Sequence, residues 1–523
     1  MDELRAHRGS FAALAGLCAR LYPVVRGHRT GPGGSSWHLT LGVVGSAERD
    51  RDCRPRTARP FPPRAWILVP AGAAAVLRCF RIRRQQGPAA VGIRGGLWGV
   101  SWLGTCRRLP EHHLNPAPGM RNRLCALLLA SALTVLGACA DRALYVRPGE
   151  VPSCPECLAT SSRLDQRLIL IGDTGELDDA QPALAAFASE AGRDPGRTIA
   201  VFLGDNIYPR GLPAPGEVAD PDTDEAEQAL RILQQQVEVI ERAGVRSVFV
   251  PGNHDWDRSG VRGLGRIQAQ ADVLASSKNA VMYPPAGCPG PTVLDVGDYV
   301  RLIVLDTEWL LRDELPKETS CTWGDPAASD PLAGETNAAV YAALNEAIAG
   351  AGTRRVLLTT HHPLKTLGSH GGRYSAKDYL FPLTHVASWL YLPVPFLYPA
   401  LRTWIVRSDQ DLGGGRNQQM VASIEAALRT ADSSPIVASG HEHSLQVFDD
   451  PADSIWYLVS GSGAKTEATG HRGGTVFKRA ALGLMVLDVH TDGRIGLRVI
   501  EVGDGESETI FERWLDDRRG GGE

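Results

Sequence analysis

Five short segments carry side chains that could hold metal ions: Gly172-Asp173-Thr174-Gly175, Gly204-Asp205-Asn206-Ile207-Tyr208, Gly252-Asn253-His254-Asp255, Thr360-His361-His362-Pro363 and Gly440-His441-Glu442-His443. Each follows a run of apolar residues that reads as a buried strand. Carboxylates, a phenol, an amide and imidazoles spread from position 173 to position 443 meet only if those strands lie side by side in one sheet. Such a meeting would build a two-metal centre, the kind that hydrolyses phosphate esters.

The donor types divide into two sets. Asp173 and Asp205 each sit just past a strand, where open α/β sheets place their ligand crevice. Tyr208 lies three residues after Asp205, on a turn that can fold back to the same ion. A phenol ionises near pH 10, so a strongly Lewis-acidic ion is needed to hold it deprotonated at low pH. Two carboxylates, a phenolate and an imidazole suit a hard trivalent ion, iron(III) first among them. Asn253 offers a neutral carbonyl oxygen, while His361 and His441 offer imidazoles. With Asp205 bridging, these make a softer divalent site. His441 and His443 alternate along an extended turn and can point to different ions. A lone Gly-Asp is a common turn, and a lone histidine after a strand is often a satisfied core residue. It is the five segments in order that speak for a metal centre. No Ser or Cys sits on a nucleophile elbow, so the expected reaction is direct in-line attack on phosphorus without a covalent enzyme intermediate.

Alternating strands and helices must carry these segments. Strands are predicted at Leu168–Ile171, Thr198–Leu203, Ser247–Val250, Val300–Leu305, Arg355–Leu358, Pro435–Ala438 and Ile455–Val459. Met485–His490 and Ile495–Ile500 flank a hairpin turn at Thr491-Asp492-Gly493. Helices are predicted over Ala180–Ala191, Asp224–Arg242, Thr336–Ala349 and Gln418–Ala431. The second is amphipathic, with Leu230, Leu233, Val237 and Ile240 on one face. Residues 379–406 break the pattern, with seven Phe, Trp and Tyr side chains, four prolines and no helical period. They read as a lid or substrate wall, with contact to a lipid surface as the other reading.

The first 119 residues are unlike the rest. They hold 18 Arg, no Lys and 6 acidic residues, a balance near +12, against about −16 for the remainder. Gly and Pro crowd them and no period persists, so no packed core is expected there. Met120-Arg121-Asn122-Arg123 then opens a basic start, Cys125 to Ala138 is an apolar run of 14 residues, and Leu136-Gly137-Ala138-Cys139 closes it. That is the layout of a secretory signal, too short for a comfortable membrane span. It resembles a bacterial lipoprotein signal with Cys139 as the lipidated residue. Residues 1–119 are then disordered or an untranslated upstream reading, 120–139 a signal, 140–163 a tether, 164–502 the catalytic domain and 503–523 a polar tail. The expected location is the bacterial cell envelope, exported and lipid-anchored through Cys139, with no nucleic-acid scaffold role. Cys288 and Cys321 flank a predicted strand and could pair in an oxidising compartment. Cys154-Pro155-Glu156-Cys157 is read as a short disulfide, since no second pair completes a zinc site.

The order Gly-Asp-x-Gly, Gly-Asp-x-x-Tyr, Gly-Asn-His-Asp, His-x-Pro and Gly-His-x-His resembles the purple acid phosphatases, a branch of the calcineurin-like metallophosphoesterases. Gly175, where most of that superfamily carries histidine, and Tyr208 in the second motif mark the branch. The resemblance covers about Arg167 to Ile500. It implies an α/β fold, a four-layer αββα sandwich of two mixed sheets, with the metal site at strand C-terminal ends. It implies Fe(III) held by Asp173, Asp205, Tyr208 and His443, and a divalent Fe, Zn or Mn held by Asp205, Asn253, His361 and His441. His254 and His370 carry over as catalytic non-ligands: the first stabilises developing charge, the second faces the leaving group. His362 stays unassigned. The implied activity is hydrolysis of phosphomonoesters by a metal-bound hydroxide. The alternatives are a phosphodiesterase or nucleotide hydrolase with the same site, which Lys365 and Arg373 near His370 would favour, and a non-catalytic surface-binding lipoprotein.

Overall fold

The computed structural model describes residues 23–30, 34–41, 140–150, 162–176, 181–217, 224–285, 287–312, 337–385, 387–395, 397–400, 402, 408–452, 454–503 and 506–516. The chain divides into two units, Met1–Met120 and Arg121–Glu523. In the first, Pro23–Thr30 (β1) pairs antiparallel with Gly34–Leu41 (β2). The signal-like segment and Cys139 lie outside the described residues.

The second unit is built on two mixed sheets. In one, Leu164–Ile171 (β4), Thr198–Phe202 (β5), Arg246–Phe249 (β6) and Ala280–Met282 (β7) run parallel. Gly483–His490 (β15), Ile495–Val502 (β16) and Ser507–Trp514 (β17) extend it antiparallel beyond β4. In the other, Val300–Val304 (β9), Arg355–Thr359 (β10), Ile436–Ser439 (β11) and Ile455–Ser460 (β13) are parallel neighbours. Tyr145–Val146 (β3), Thr292–Val296 (β8), Leu445–Asp450 (β12) and Thr475–Arg479 (β14) complete it antiparallel.

Side chains alternate across each strand, and this alternation makes four layers. Leu168, Leu170, Ile199, Val201, Leu302, Leu357, Ile436 and Leu458 share one core, to which both sheets contribute. Their neighbours Ile169, Ile171, Ala200, Phe202, Ile303, Leu358 and Val437 face outward against helices. Phe187, on helix Pro182–Ala191, meets Phe202 edge-on at 5.5 Å, and Phe202 stacks on Phe249 at 4.3 Å. On the opposite side Tyr457 of β13 donates to Glu425 of helix Gly415–Leu428 at 2.8 Å. The outer helices and back-to-back sheets form the αββα sandwich.

Residues 140–150, read from composition as the start of a tether, lie along this domain. Ala140 N donates to Tyr374 O at 3.1 Å, Asp141 and Thr469 exchange backbone hydrogen bonds, and β3 adds to the edge of the larger sheet beside β14. Pairing with an open sheet edge needs no hydrophobic run, so composition does not reveal it.

A buried ion network ties the antiparallel strands to the core. Asp488 on β15 accepts from Arg167 Nε at 2.6 Å and Arg498 Nε at 2.8 Å, and Arg498 reaches Glu190 at 3.0 Å. Burial alone would raise the Asp488 carboxyl, but Arg498 and Arg167 outweigh it and hold it below the usual range. Asp488→Ala would take Arg167's carboxylate away and leave Arg498 with Glu190 alone, at a cost of up to about 3–5 kcal/mol at neutral pH. Because the folded-state pKa is depressed, this contribution is present above the unfolded value of about 4 and is lost as pH falls through the folded value. Urea melts should therefore separate wild type and variant at pH 7 and bring them together in acid. A gap that stays constant with pH would refute the ionic origin.

Candidate metal centre

The candidate ligands come from both sheets, which corrects the expectation of a single one. Asp173, Asp205 and Asn253 follow β4, β5 and β6, whereas His361 and His441 follow β10 and β11. The strands deliver them to the same end of the sandwich, where loops from the two sheets interlock. Asp173 N donates to Gly204 O, Gly172 N to Ser460 O and Gly440 N to His361 O. Gly204 has φ +88°, and a Cβ there would stand 2.5 Å from His361 Nδ1, so only glycine lets this turn pass beneath the histidine.

Three candidate ligands are themselves strained: Asp173, Asp205 and His441 have φ of 59°, 52° and 68°. Such conformations cost about 1–3 kcal/mol each and persist where surrounding contacts enforce them. Here the Asp173 carboxylate accepts His441 N at 2.8 Å, so these two strained residues hold one another, and the Asp205 carboxylate accepts His254 N at 2.9 Å.

Two groups of donor atoms result. In the first, the Tyr208 hydroxyl lies 2.9 Å from Asp173 Oδ1 and 3.1 Å from His443 Nε2, with His443 Nε2 3.4 Å from Asp173 Oδ1. In the second, Asn253 Oδ1, His361 Nε2 and His441 Nδ1 stand 3.0–3.2 Å apart. Asp205 stands beside both: its Oδ1 is 3.4 Å from His361 Nε2, and its charge, with that of Asp173, acts on the Tyr208 phenol. Ligand atoms of Asp173, Asp205 and His361 all lie within 4.8 Å of one another.

The protonation pattern fits cations. His361 Nδ1 faces Leu203 O at 2.9 Å and donates to it, so Nε2 is the nitrogen that stands among Asn253 Oδ1, His441 Nδ1 and Asp205 Oδ1. Burial would lower the His361 pKa, but the nearby carboxylates outweigh it and raise it, so the same cluster that favours a proton there would favour a metal cation in its place. His443 Nδ1 is 3.3 Å from Glu467, the carboxylate–histidine pairing that orients a metal-binding imidazole through its far nitrogen. His441 Nε2 is buried with no hydrogen-bond partner among the described residues. Tyr208 is pushed well above its ordinary pKa by burial and by Asp173 and Asp205, so the bare site keeps the phenol protonated. A strong Lewis acid is what would ionise it.

His254 and His370 flank the two groups. His254 Nδ1 faces Pro209 O at 2.7 Å, its Nε2 is 3.8 Å from Asp205, and burial holds its pKa below the ordinary value. His370 packs over His441 with ring centroids 4.0 Å apart, and its Nδ1 lies 2.8 Å from Asp411 Oδ1. His362, left unassigned, lies near His361 and His441 but has both nitrogens engaged. Its Nε2 donates to Gln410 at 2.6 Å and its Nδ1 accepts from Thr307 at 2.9 Å. Burial and the neighbouring His361 push its pKa down to about 3. With no lone pair to spare, His362 supports the wall and is no ligand.

Several residues around the centre escaped the sequence reading. Asp255 closes the Gly-Asn-His-Asp segment, and its carboxylate accepts from Gly252 N, Asn206 N, Asn206 Nδ2 and Ile207 N, clamping two ligand loops. Its place inside the motif was the available signal. Glu442 accepts from the backbone of Ser369 and His370, anchoring the His370 loop. Arg402, inside the aromatic segment, forks onto Asp411 at 2.6 and 2.8 Å, with its Nη2 3.1 Å from His370 Nδ1. Lys465 Nζ sits 3.5 Å above the Tyr208 ring.

Residues 166–391 match the family model of the calcineurin-like phosphoesterases. His441 and His443 lie beyond the matched range. No curated protein matches the chain. Among solved structures the chain is similar to GAP50, the anchor in the inner membrane complex of Plasmodium, at 14% identity over 68% of this chain and 91% of that one, with a TM-score of 0.40. It is similar to a purple acid phosphatase from yellow lupin (Lupinus luteus) seeds at 14% identity over 67% of this chain and 54% of that one, also with a TM-score of 0.40. A cold-active protein-tyrosine phosphatase of a psychrophilic Shewanella species follows at 12% identity over 71% and 90%, with a TM-score of 0.22.

Proposed function

We propose, for a chain whose residues 166–391 form a calcineurin-like metallophosphoesterase domain, that it hydrolyses phosphomonoesters outside the cytoplasm with two metal ions. The observation that carries this reading is the position of Asp205, in reach of both donor groups. Asp173, Asp205, Tyr208 and His443 would hold iron(III), and Asp205, Asn253, His361 and His441 a divalent ion. When bound, such a pair supplies a water of lowered pKa and neutralises phosphate oxygens.

The chain's own residues contribute orientation and proton handling. His254, fixed by Pro209 O, presents Nε2 beside Asp205 to the charge that develops on phosphate. As an imidazolium, His370 would donate through Nδ1 to Asp411 and give its Nε2 proton to the departing alkoxide, ending as the neutral Nδ1–H ring. Arg402 forks onto the same carboxylate, its Nη2 sharing Oδ1 with His370 Nδ1, and fixes the position of Asp411. Lys365, one of two basic residues that would favour a diester, is paired with Asp450 at 2.6 Å, which supports the monoester reading. The bonded state of Cys288 is in keeping with an oxidising compartment. Its sequence-suggested partner Cys321 lies outside the described residues.

Metal-loaded protein should turn over p-nitrophenyl phosphate with a higher kcat/KM than bis(p-nitrophenyl) phosphate. A preference for the diester would move the assignment to phosphodiesterases. Absence of turnover on either, with both ions bound, would leave a surface-binding lipoprotein.

A further inference from the structure

Four large apolar side chains stand out of the surface within one short stretch: Trp389 (76% exposed), Leu392 (53%), Leu380 (43%) and Tyr391 (41%). They form a local unit. Leu380 ends helix Ala376–Leu380, Val394 N donates to Leu380 O at 3.1 Å, and Tyr391 packs against Phe381 with ring centroids 5.7 Å apart. Ser375 caps the helix with a capping box, so the patch is fixed to the residue that starts this element.

That same Ser375 is where the N-terminal arm arrives. Ala140 forms a β-bridge with Ser375, and its N–H is bonded to Tyr374 O. Ala140 is the first described residue of this arm, so the chain that precedes it joins the domain at this edge. The residues before Ala140 are Cys139 and the apolar run Cys125 to Ala138. Two independent features, a lipid-anchor motif and an exposed cluster with a Trp and a Tyr, thus meet at one edge of the domain. Trp and Tyr are the side chains that settle at the membrane–water boundary.

We infer that Leu380, Trp389, Tyr391 and Leu392 seat in the headgroup region of a phospholipid bilayer, beside the anchored Cys139. This rests on the proposed lipid anchor. It goes beyond that anchor by giving the domain one orientation. Among the described residues no helix is long and apolar enough to cross a membrane, so the contact is interfacial. Residues 120–523 carry a net charge near −16, so docking is by apolar partition and is insensitive to salt. The edge is also the rim of the metal centre. Ser375 follows His370 by five residues, and Thr469, bridged to Asp141, follows Glu467 by two. Docking so arranged holds the site within reach of phosphate groups at the bilayer surface.

The test uses the full chain reconstituted in phosphatidylethanolamine/phosphatidylglycerol vesicles doped with acyl-chain-brominated phosphatidylcholine, a contact quencher of tryptophan. The emission of wild type minus that of Trp389→Phe isolates one of the 11 tryptophans. Most of this difference emission should be lost in brominated vesicles, equally at low and high salt. Mass analysis of the N-terminal peptide from the same preparation reports the lipid on Cys139 separately. A lipidated protein whose Trp389 emission ignores the bromolipid overturns the inference and leaves the anchor standing. Unquenched emission together with a wild-type dimer that Trp389→Phe dissociates also overturns it, in favour of a second copy of the chain covering the patch. Quenching without lipid on Cys139 supports the patch alone.

Discussion

Asp205→Ala will lose both metal ions, and with them at least about a thousandfold in kcat/KM, the scale of several kcal/mol of transition-state stabilisation. The reason is position. Asp205 Oδ1 faces His361 Nε2 at 3.4 Å, and ligand atoms of Asp205, Asp173 and His361 lie within 4.8 Å of one another, so it is the side chain that stands between the two donor groups. Opposing effects set its protonation: burial raises the carboxyl, but His361 and His254 outweigh burial and hold it below the ordinary range. It is therefore an anion ready for cations. Alanine removes that charge and leaves His254 N without its acceptor. A structural explanation for lost activity is separable by ligand linkage, since bound metal stabilises the native state in proportion to the logarithm of its concentration. Wild-type protein should melt lower after chelation. Asp205→Ala should melt at one temperature with or without chelator and show neither ion by elemental analysis. An active Asp205→Ala protein with its full metal content would refute the bridging role.

The half of this architecture that carries the candidate ligands was legible because its strands are short, largely apolar and followed at once by chemistry-bearing loops. Val-Leu-Leu-Thr before Thr360 and Ile-Val-Ala-Ser before Gly440 are buried throughout, and the sequence pattern says so. Helix Gly263–Ala275 was not legible, for the opposite reason. Its inward face carries Arg266 and Gln270, both fully buried, with Arg266 neutralised by Glu217 and Glu225 at 2.6 and 2.8 Å. Periodicity registers apolar residues, and a buried ion pair is invisible to it. Strand β17 fails in a related way: Ser-Glu-Thr-Ile-Phe-Glu-Arg-Trp is an edge strand whose polar residues look outward. Strand β12 hides Gln446 and Asp449 in the core.

Ligands and their supports differ in the same sense. Asp173, Asp205, Asn253, His361 and His441 sit at fixed offsets from strand ends, which local sequence reveals. Asp411 and Arg402 lie 41 and 32 positions from His370 and meet it only through the path of the chain. The aromatic segment shows no helical period in its sequence. Its described elements are single-turn helices, the 3-10 helix Pro382–His385 and the α-helix Leu397–Ala400, and the chain between and after them returns towards His370. Nothing local announces that one arginine within it reaches the centre.

Tyr208→Phe should abolish the visible tyrosinate-to-iron(III) absorption of iron-loaded protein while leaving the fold intact. Tyr208 is buried, and its pKa is pushed well above the ordinary phenol value by burial and by Asp173 and Asp205. Within that field a phenolate exists at neutral pH only when a cation takes the proton's place. A tyrosinate band therefore reports coordination by this oxygen and nothing else in its surroundings. Phenylalanine keeps the ring, which packs edge-on against His254 at 4.5 Å and lies under Lys465. The loss is one hydroxyl hydrogen bond to Asp173, about 1 kcal/mol. Far-ultraviolet circular dichroism and the chelated melting temperature should then barely move, whereas the colour goes and iron binds more weakly. The divalent group, Asn253 with His361 and His441, makes no contact with the removed atom and should retain its ion. If the iron-loaded variant kept the wild-type band, the oxygen on iron(III) would belong to another residue, and Tyr208 would be left as a hydrogen-bond donor to Asp173.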